Sequence, residues 1–213
     1  MASIYSKEHI RAALSPHPTG AEDDMLWLVG SRDRQAQLRA SLPPRELRPA
    51  AVLVPLVERP EGLSVLLTQR AATLKAHAGQ ISFPGGRIDP SDADAWEAAL
   101  REAREEIGLE ASFIEFAGYL PDHWLGTGFR VTPAVGFVNP AFELRIATAE
   151  VHDVFEVPLA FILDEANHRP RNRRFGEVSV DTFDIPWGER VIWGATAGML
   201  LTLRRLLLAD APA

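Results

Sequence analysis

The sequence contains no cysteine, which excludes disulfides, thiolate zinc sites and a cysteine nucleophile together. It has no continuous run of the ~20 apolar residues that a membrane span requires. Its first residues, MASIYSKEHIRAALS, have neither the basic opening nor the apolar stretch of a secretory signal. Cytoplasm is therefore the expected compartment, and no membrane partner is expected. An excess of positive charge is missing too: 22 basic residues stand against 29 acidic ones, for a formal net charge of −7. Nonspecific affinity for nucleic acid comes largely from phosphate neutralisation, so no nucleic-acid partner is expected. A phosphorylated small molecule would need local cations or a metal. Internal repeats and low-complexity segments are also absent. What remains, 46% hydrophobic and 24% charged residues over 213 positions, is the composition of one globular domain with an accessory element.

The chain divides at its proline pair, Pro43-Pro44. Before it, residues 6–14 read as a short helix with Ser6 as N-cap, a second helix is expected over Asp33 to Leu42, and HPTGAEDD between them is a loop by composition. Residues 1–48 are thus read as an N-terminal helical extension and 49–213 as the main domain. From Ala50, AAVLVPLVE and LSVLLTQR are expected strands around an RPEG turn, a hairpin. Gln80 to Phe83 is a further short strand running into a glycine turn. Asp89-Pro90 then suggests a helix start, with Asp89 as N-cap and Pro90 at the first helical position. Trp96, Leu100, Ala103 and Ile107 form its apolar stripe, and Gly108 stops it. Strands are expected at Ser112–Tyr119, Val131–Val138, Val154–Val157 and Glu177–Phe183. A short helix is expected at Pro158–Glu165, and a final one at Ala195–Ala209 with Leu200, Leu203 and Leu207 on one side. The sum is an α+β domain in which one acidic helix lies against mixed strands.

That helix crowds its charges. Glu102, Glu105 and Glu106 stand at i, i+3 and i+4, so three carboxylates leave one face, at a cost of a few tenths of a kcal/mol per pair. In isolation E-x-x-E-E is as readily a solvated acidic surface. The apolar stripe points elsewhere, which leaves the carboxylates facing something other than the core. A hard divalent cation would turn their repulsion into binding, since Mg²⁺ takes oxygen ligands from a few carboxylates and from substrate phosphates.

Gly86 through Leu109 resembles the Nudix box: Gly, five residues, Glu, seven residues, then Arg-Glu-aliphatic-x-Glu-Glu-x-Gly-aliphatic. Three features depart from it. Asp92 stands where Glu is usual, eight residues rather than seven precede Arg101, and Ala103 replaces a bulkier aliphatic. The preceding segment is similar to the signature of one Nudix branch, the coenzyme A pyrophosphatases. Leu66-Leu67-Thr68-Gln69-Arg70, Gly79 and Phe83-Pro84-Gly85-Gly86 fall in register, with Ala71 in place of Ser and Lys75 in place of Arg. Lys75 keeps the charge and loses the guanidinium fork. Trp193-Gly194-Ala195-Thr196 is similar to that branch's C-terminal pattern.

This resemblance, which runs from about Ala50 onward and leaves the N-terminal helical extension unassigned, implies a Nudix-type α/β/α sandwich with a mixed β-sheet. It also implies a metal-dependent hydrolase, using Mg²⁺ or Mn²⁺, that cleaves the pyrophosphate of coenzyme A or its derivatives to 3′,5′-ADP and (acyl-)4′-phosphopantetheine. Glu102, Glu105, Glu106 and the Gly85 carbonyl are the implied metal ligands. Arg101 is implied to hold Glu105 in position. The general base stays open between Glu105 and Glu106, with Glu150 as a distal acid. Arg70, Lys75, His77, Gly79 and Phe83 are the implied substrate contacts. The expected partner is a small-molecule nucleotide, and a homodimer is left open. Two alternatives stand beside this: hydrolysis of ADP-ribose, NADH or another nucleoside diphosphate derivative, and a noncatalytic Nudix domain that senses a nucleotide. The basic run His168-Arg169-Pro170-Arg171-Asn172-Arg173-Arg174 reads first as an exposed hairpin approach. Its second reading is a patch that attracts the 3′-phosphate of coenzyme A.

Overall fold

The structure, a computed structural model, describes residues 5–18, 47–73, 77–175 and 178–209. The helix expected at Asp33–Leu42 and the residue Lys75 lie outside the described residues. Strand β1 (Arg48–Arg59) is apolar almost throughout and is buried on both faces, as a central strand flanked by two layers must be. It runs parallel to β7 (Phe129–Val138) over the register Arg48↔Phe129 to Val57↔Val138. Its other edge forms the expected hairpin with β2 (Gly62–Arg70), but the two strands pair only from Leu56↔Val65 to Arg59↔Gly62. Beyond Leu56 they separate, and the segment 81–87 fills the fork. Strand β3 (Ile81–Ser82) pairs with Gln69 and Thr68 of β2, and β4 (Gly85–Arg87) pairs with Ala50–Val52 of β1. The expected strand at Gln80–Phe83 is realised as β3, and the glycine turn expected after it leads into the further short strand β4 on the other side of the fork. Pro55 marks the crotch. The Leu53 N–H on this edge donates to Pro84 O at 2.9 Å, so two residues on the donor that proline lacks would face the gap.

The rest of the sheet adds β5 (Ile114–Tyr119) and β6 (His123–Leu125) against β7, and β8 (Val151–Pro158) on the outer edge of β2. A second, three-stranded sheet is built from β9 (Arg169–Phe175), β10 (Val178–Trp187) and β11 (Arg190–Ile192). On one face of the large sheet lies helix α2 (Ala95–Ile107), whose Ala98, Ala99, Ala103 and Ile107 meet Ala51, Leu53, Val57 and Leu66. On the other face lie α1 (Lys7–Ala13), α3 (Leu159–Leu163) and α4 (Gly194–Ala209), which pack Ile10, Ile162, Leu200, Leu203 and Leu207 against Val54, Leu56, Val65 and Leu67. The expected α/β/α sandwich with a mixed sheet is what forms. No helix among the described residues is long and apolar enough to cross a membrane.

Two local expectations are corrected. Helix α2 starts at Ala95, and its N-cap is Asp94, whose side chain accepts from Glu97 N at 2.9 Å. Asp89 caps no helix, because the residues after it form a turn, in which the Asp89 N–H donates to the Asp92 carboxylate at 2.8 Å, and helical structure begins only at Ala95. The buried stripe is also rotated from the expected one. Leu100 and Trp96 are only half-buried, while Ala95, Ala98, Ala99, Ala103 and Ile107 face the sheet together with Glu106. Small alanines let the helix lie close, and closeness favours the face that carries most of them.

Helix α1 is capped by Ser6, whose hydroxyl accepts from His9 N at 3.2 Å, and its Ile10 is fully buried in the main core. Lys7 reaches Glu58 at 3.2 Å and Glu115 at 2.8 Å, Arg11 pairs with Glu115, and the His9 ring donates to Leu207 O at 2.8 Å. The helix therefore joins both ends of the chain to the sheet. His123, fully buried between β7 and α4, is a core histidine. Its Nδ1 donates to Pro121 O at 2.9 Å, and desolvation pushes its pKa down to about 4. Truncating Ile10 tests how far α1 belongs to the folding unit. Ile10→Ala should shift the whole denaturation transition, with a loss of about 3 kcal/mol; an unchanged midpoint in urea would place α1 outside the cooperative core.

Candidate active site

The carboxylates of α2 are organised by one guanidinium. Arg101 grips Asp92 with two bonds, Nε to Oδ1 and Nη2 to Oδ2, each 3.0 Å. Its Nη1 donates to Glu102 at 2.9 Å and to Glu105 at 3.3 Å, and its Nη2 also donates to Arg87 O at 2.9 Å. Asp92 is 3% exposed, and the bonds from Arg101 hold its pKa below the usual carboxylate range. The sequence reading placed Asp92 in the box without giving it this role. The signal for this clamp was its place in the box, where an acid is usual. Gly86 lets the glutamate approach, because a side chain there would occupy the space of the Glu102 carboxylate.

The three glutamates do not share one environment. Glu105 is 54% exposed, Glu102 17% and Glu106 5%. Glu106 is turned inward beneath the fork, where the Gly85 N–H donates to its Oε2 at 3.3 Å and Arg70 Nη1 lies 3.7 Å from its Oε1. The picture of three carboxylates directed away from the core is therefore corrected: the rotated stripe brings Glu106 into it. Burial pushes the Glu106 carboxyl up to about 7, against the pull of Arg70 and the Gly85 N–H and with added repulsion from Glu102 and Glu150. Burial also raises Glu102, with its Arg101 bond opposing. Glu150 is exposed on the loop before β8, held there by its carbonyl, which accepts from Ala71 N at 2.8 Å.

These groups suit a divalent cation in kind. All the donors are oxygens, and two of the carboxylates are desolvated, crowded and reluctant to ionise, a state that a hard cation relieves. Among the described residues no three Asp, Glu or His side chains yet converge on one point, because Arg101 holds Glu102 and Glu105 on one side and Gly85 holds Glu106 on the other.

Beside this helix the fork opens into a pocket of about 230 Å³. Arg70, His77, Phe83 and Gly85 line it, so three of the expected substrate residues and one expected ligand share a single cavity. Gly79 contributes through its backbone: at φ 70° its N–H donates to Arg70 O at 3.2 Å and shapes the loop. His77 is also left-handed, at φ 57°, and donates from Nδ1 to Gln80 Oε1 at 2.7 Å, the direction in which an amide oxygen can accept. The reading of residues missed Gln80, Leu125, Val131 and Met199 as pocket walls; they are apolar or short-range loop positions that carry no signal of their own. Trp193 and Thr196 also line the pocket, and the Thr196 hydroxyl donates to Ile81 O at 3.0 Å, fastening the start of α4 to β3.

The basic run is less available than its composition suggests. In β9 alternation puts Arg171 and Arg173 on one face and Arg174 on the other. Both Arg171, at 3.2 Å, and Arg173, at 2.5 Å, are tied to the buried carboxylate of Asp184 in β10. Three cations in sequence thus present far less net charge at any one place.

The NUDIX domain family model matches residues 47–177 of this chain. The Nudix hydrolase NudL of Escherichia coli (strain K12) is 44% identical over 159 residues, which span 73% of this chain and 81% of NudL. The NudL of Cronobacter sakazakii is 43% identical over 173 residues, 80% of this chain and 86% of that protein. Among solved structures, the Nudix hydrolase RenU of M. smegmatis superimposes with a TM-score of 0.53 at 18% identity, covering 78% of this chain and 89% of RenU; at that identity the likeness is one of fold.

The Glu106 environment sets a sign for pH. Its folded pKa of about 7 lies above the ordinary 4.5, so the unfolded chain releases this proton first, and metal-free stability falls as pH rises from 4.5 through 7. Relative to a Glu106→Gln variant, the metal-free protein should lose on the order of 3 kcal/mol across that window, and Mg²⁺ should restore part of the loss above pH 7. Denaturation curves at pH 5 and pH 8 check this; a constant difference between the two proteins contradicts it.

Proposed function

The chain belongs to the NUDIX domain family and is a Nudix hydrolase, and from that premise we propose that it cleaves the pyrophosphate bond of coenzyme A or an acyl derivative, releasing 3′,5′-ADP and (acyl-)4′-phosphopantetheine. One observation carries this reading. The segment that is similar to the coenzyme A branch folds into the fork, so that Arg70, His77 and Phe83 line a pocket bounded by Gly85, directly against the carboxylate helix.

Glu102, Glu105, Glu106 and the Gly85 carbonyl would hold Mg²⁺ or Mn²⁺. When bound, the ion supplies charge neutralisation at the pyrophosphate, polarises a phosphoryl oxygen and lowers the pKa of water. The chain's own residues do the rest. Asp92 fixes Arg101, and Arg101 keeps Glu102 and Glu105 oriented despite their mutual repulsion. Glu105 is the most exposed of the three carboxylates, and we assign it to take the proton from the attacking water, since a base must reach that proton. Arg70 stands 3.7 Å from Glu106 and has a buried Nε with no hydrogen-bond partner among the described residues, a donor suited to a phosphate oxygen. Glu150 adds negative potential at Glu102 and Glu106, which favours cation loading over its own direct participation.

A second reading, hydrolysis of ADP-ribose, NADH or another nucleoside diphosphate derivative, is favoured by one finding: Asp184 neutralises part of the basic patch that would greet a 3′-phosphate. Turnover of coenzyme A and ADP-ribose with Mg²⁺ or Mn²⁺ separates the two. Coenzyme A should have the higher kcat/KM, and the reverse order defeats the coenzyme A assignment. Glu105→Gln should lower kcat by at least roughly 10²-fold, and a variant with wild-type turnover takes Glu105 out of the reaction.

A further inference from the structure

We propose that Trp193, with Arg173 fixed against it, is the stacking wall for the aromatic base of the nucleotide substrate. The inference rests on the reading that the pyrophosphate lies at Gly85 and Glu106, and it assigns the neighbouring pocket to the nucleoside half. Trp193 lies between β11 and α4 and lines the pocket. The guanidinium of Arg173 sits 4.6 Å from the centre of its ring. Arg173 is held there by Asp184, which is 6% exposed and also takes a bond from Arg171. Trp193 is among the pocket's lining residues and Arg173 is not, so the cation bears on the indole without itself walling the cavity. An indole braced by a fixed cation is a rigid planar surface whose position costs no ordering when a ring is laid on it.

The remaining walls agree with a ring. Val52, Ile81, Phe83 and Met199 are apolar. Polar groups are few and mostly engaged: Ser82 Oγ is 3.2 Å from Thr68 Oγ1, and the Thr196 hydroxyl is spent on Ile81 O. Two are not: Arg70, whose guanidinium lies toward Glu106 and whose Nε is assigned above to a phosphate oxygen, and Gln80, whose amide oxygen accepts from His77 and whose NH₂ is therefore the end left to meet a ring nitrogen. A purine offers such acceptors on a flat apolar body. An extended amide chain would instead need polar partners along its length, and most of these walls are apolar. A pocket of about 230 Å³ has room for a fused ring system.

Equilibrium binding of AMP and of ribose 5-phosphate, measured by calorimetry on the full chain without turnover, isolates the base. Wild-type protein should bind AMP at least roughly tenfold more tightly than ribose 5-phosphate. Trp193→Leu should remove most of that difference while leaving ribose 5-phosphate affinity unchanged, Trp193→Phe should keep it within about threefold, and Arg173→Met should reduce it by a smaller factor. Equal wild-type affinity for AMP and ribose 5-phosphate overturns the proposal without any variant. So does a Trp193→Leu protein that binds AMP as wild type does, or one that loses 4′-phosphopantetheine binding instead. Because no hydrolysis is read, these outcomes are independent of Glu105→Gln turnover, which tests the reaction and not the wall.

Discussion

Everything functional in this molecule depends on a sheet that is not allowed to zip closed. Strands β1 and β2 pair only near their turn, and the hydrogen bonds they forgo beyond Leu56 are supplied by 81–87 instead, with Thr68 and Gln69 paired to β3 and Ala50–Val52 paired to β4. Backbone donors and acceptors inside a packed sheet must find partners, so the inserted segment is held as firmly as a strand while having the shape of a loop. Its two ends then do different things. Ile81 and Phe83 wall the pocket on the α4 side, and Gly85 and Gly86 press against the carboxylates of α2 on the other.

That placement resolves an electrostatic conflict. Three glutamates on one helix repel, and burial of any of them is costly. The fold answers with graded exposure and with two cations. Arg101 serves Glu102 and Glu105 from the solvent side, and Arg70 lies near Glu106 on the buried side. The compensation is incomplete, since Glu102 and Glu106 still have raised pKa values. A divalent cation held by these carboxylates would relieve that strain, as the proposed function requires.

Much of the architecture was legible from local pattern. The alternation and apolar runs located β1, β2, β7 and α4, and Gly108, at φ 70°, ends α2 where a glycine stop was expected. Ser6 caps α1 as its sequence position implied. The expectations that changed are the ones where side chains had competing partners. Asp89 resembles a capping residue, but Asp92, bound to Arg101, closes a turn after it, and the helix starts beyond that turn with Asp94 as its cap. Arg171 and Arg173 looked like surface cations because Asp184, eleven or more positions away, is invisible to a local window.

By itself, the amino-acid sequence determined which groups could do chemistry: oxygen ligands at helical spacing, a glycine turn ahead of them, a box and an upstream signature in register, and no cysteine with which to build any other kind of centre. Tertiary structure alone decided how those groups differ from one another. Which glutamate is buried, which acid steadies Arg101 and which tryptophan faces the pocket all follow from contacts between segments tens of residues apart. Desolvation and hydrogen-bond competition are set by those contacts, and they are not properties of any residue's neighbours along the chain.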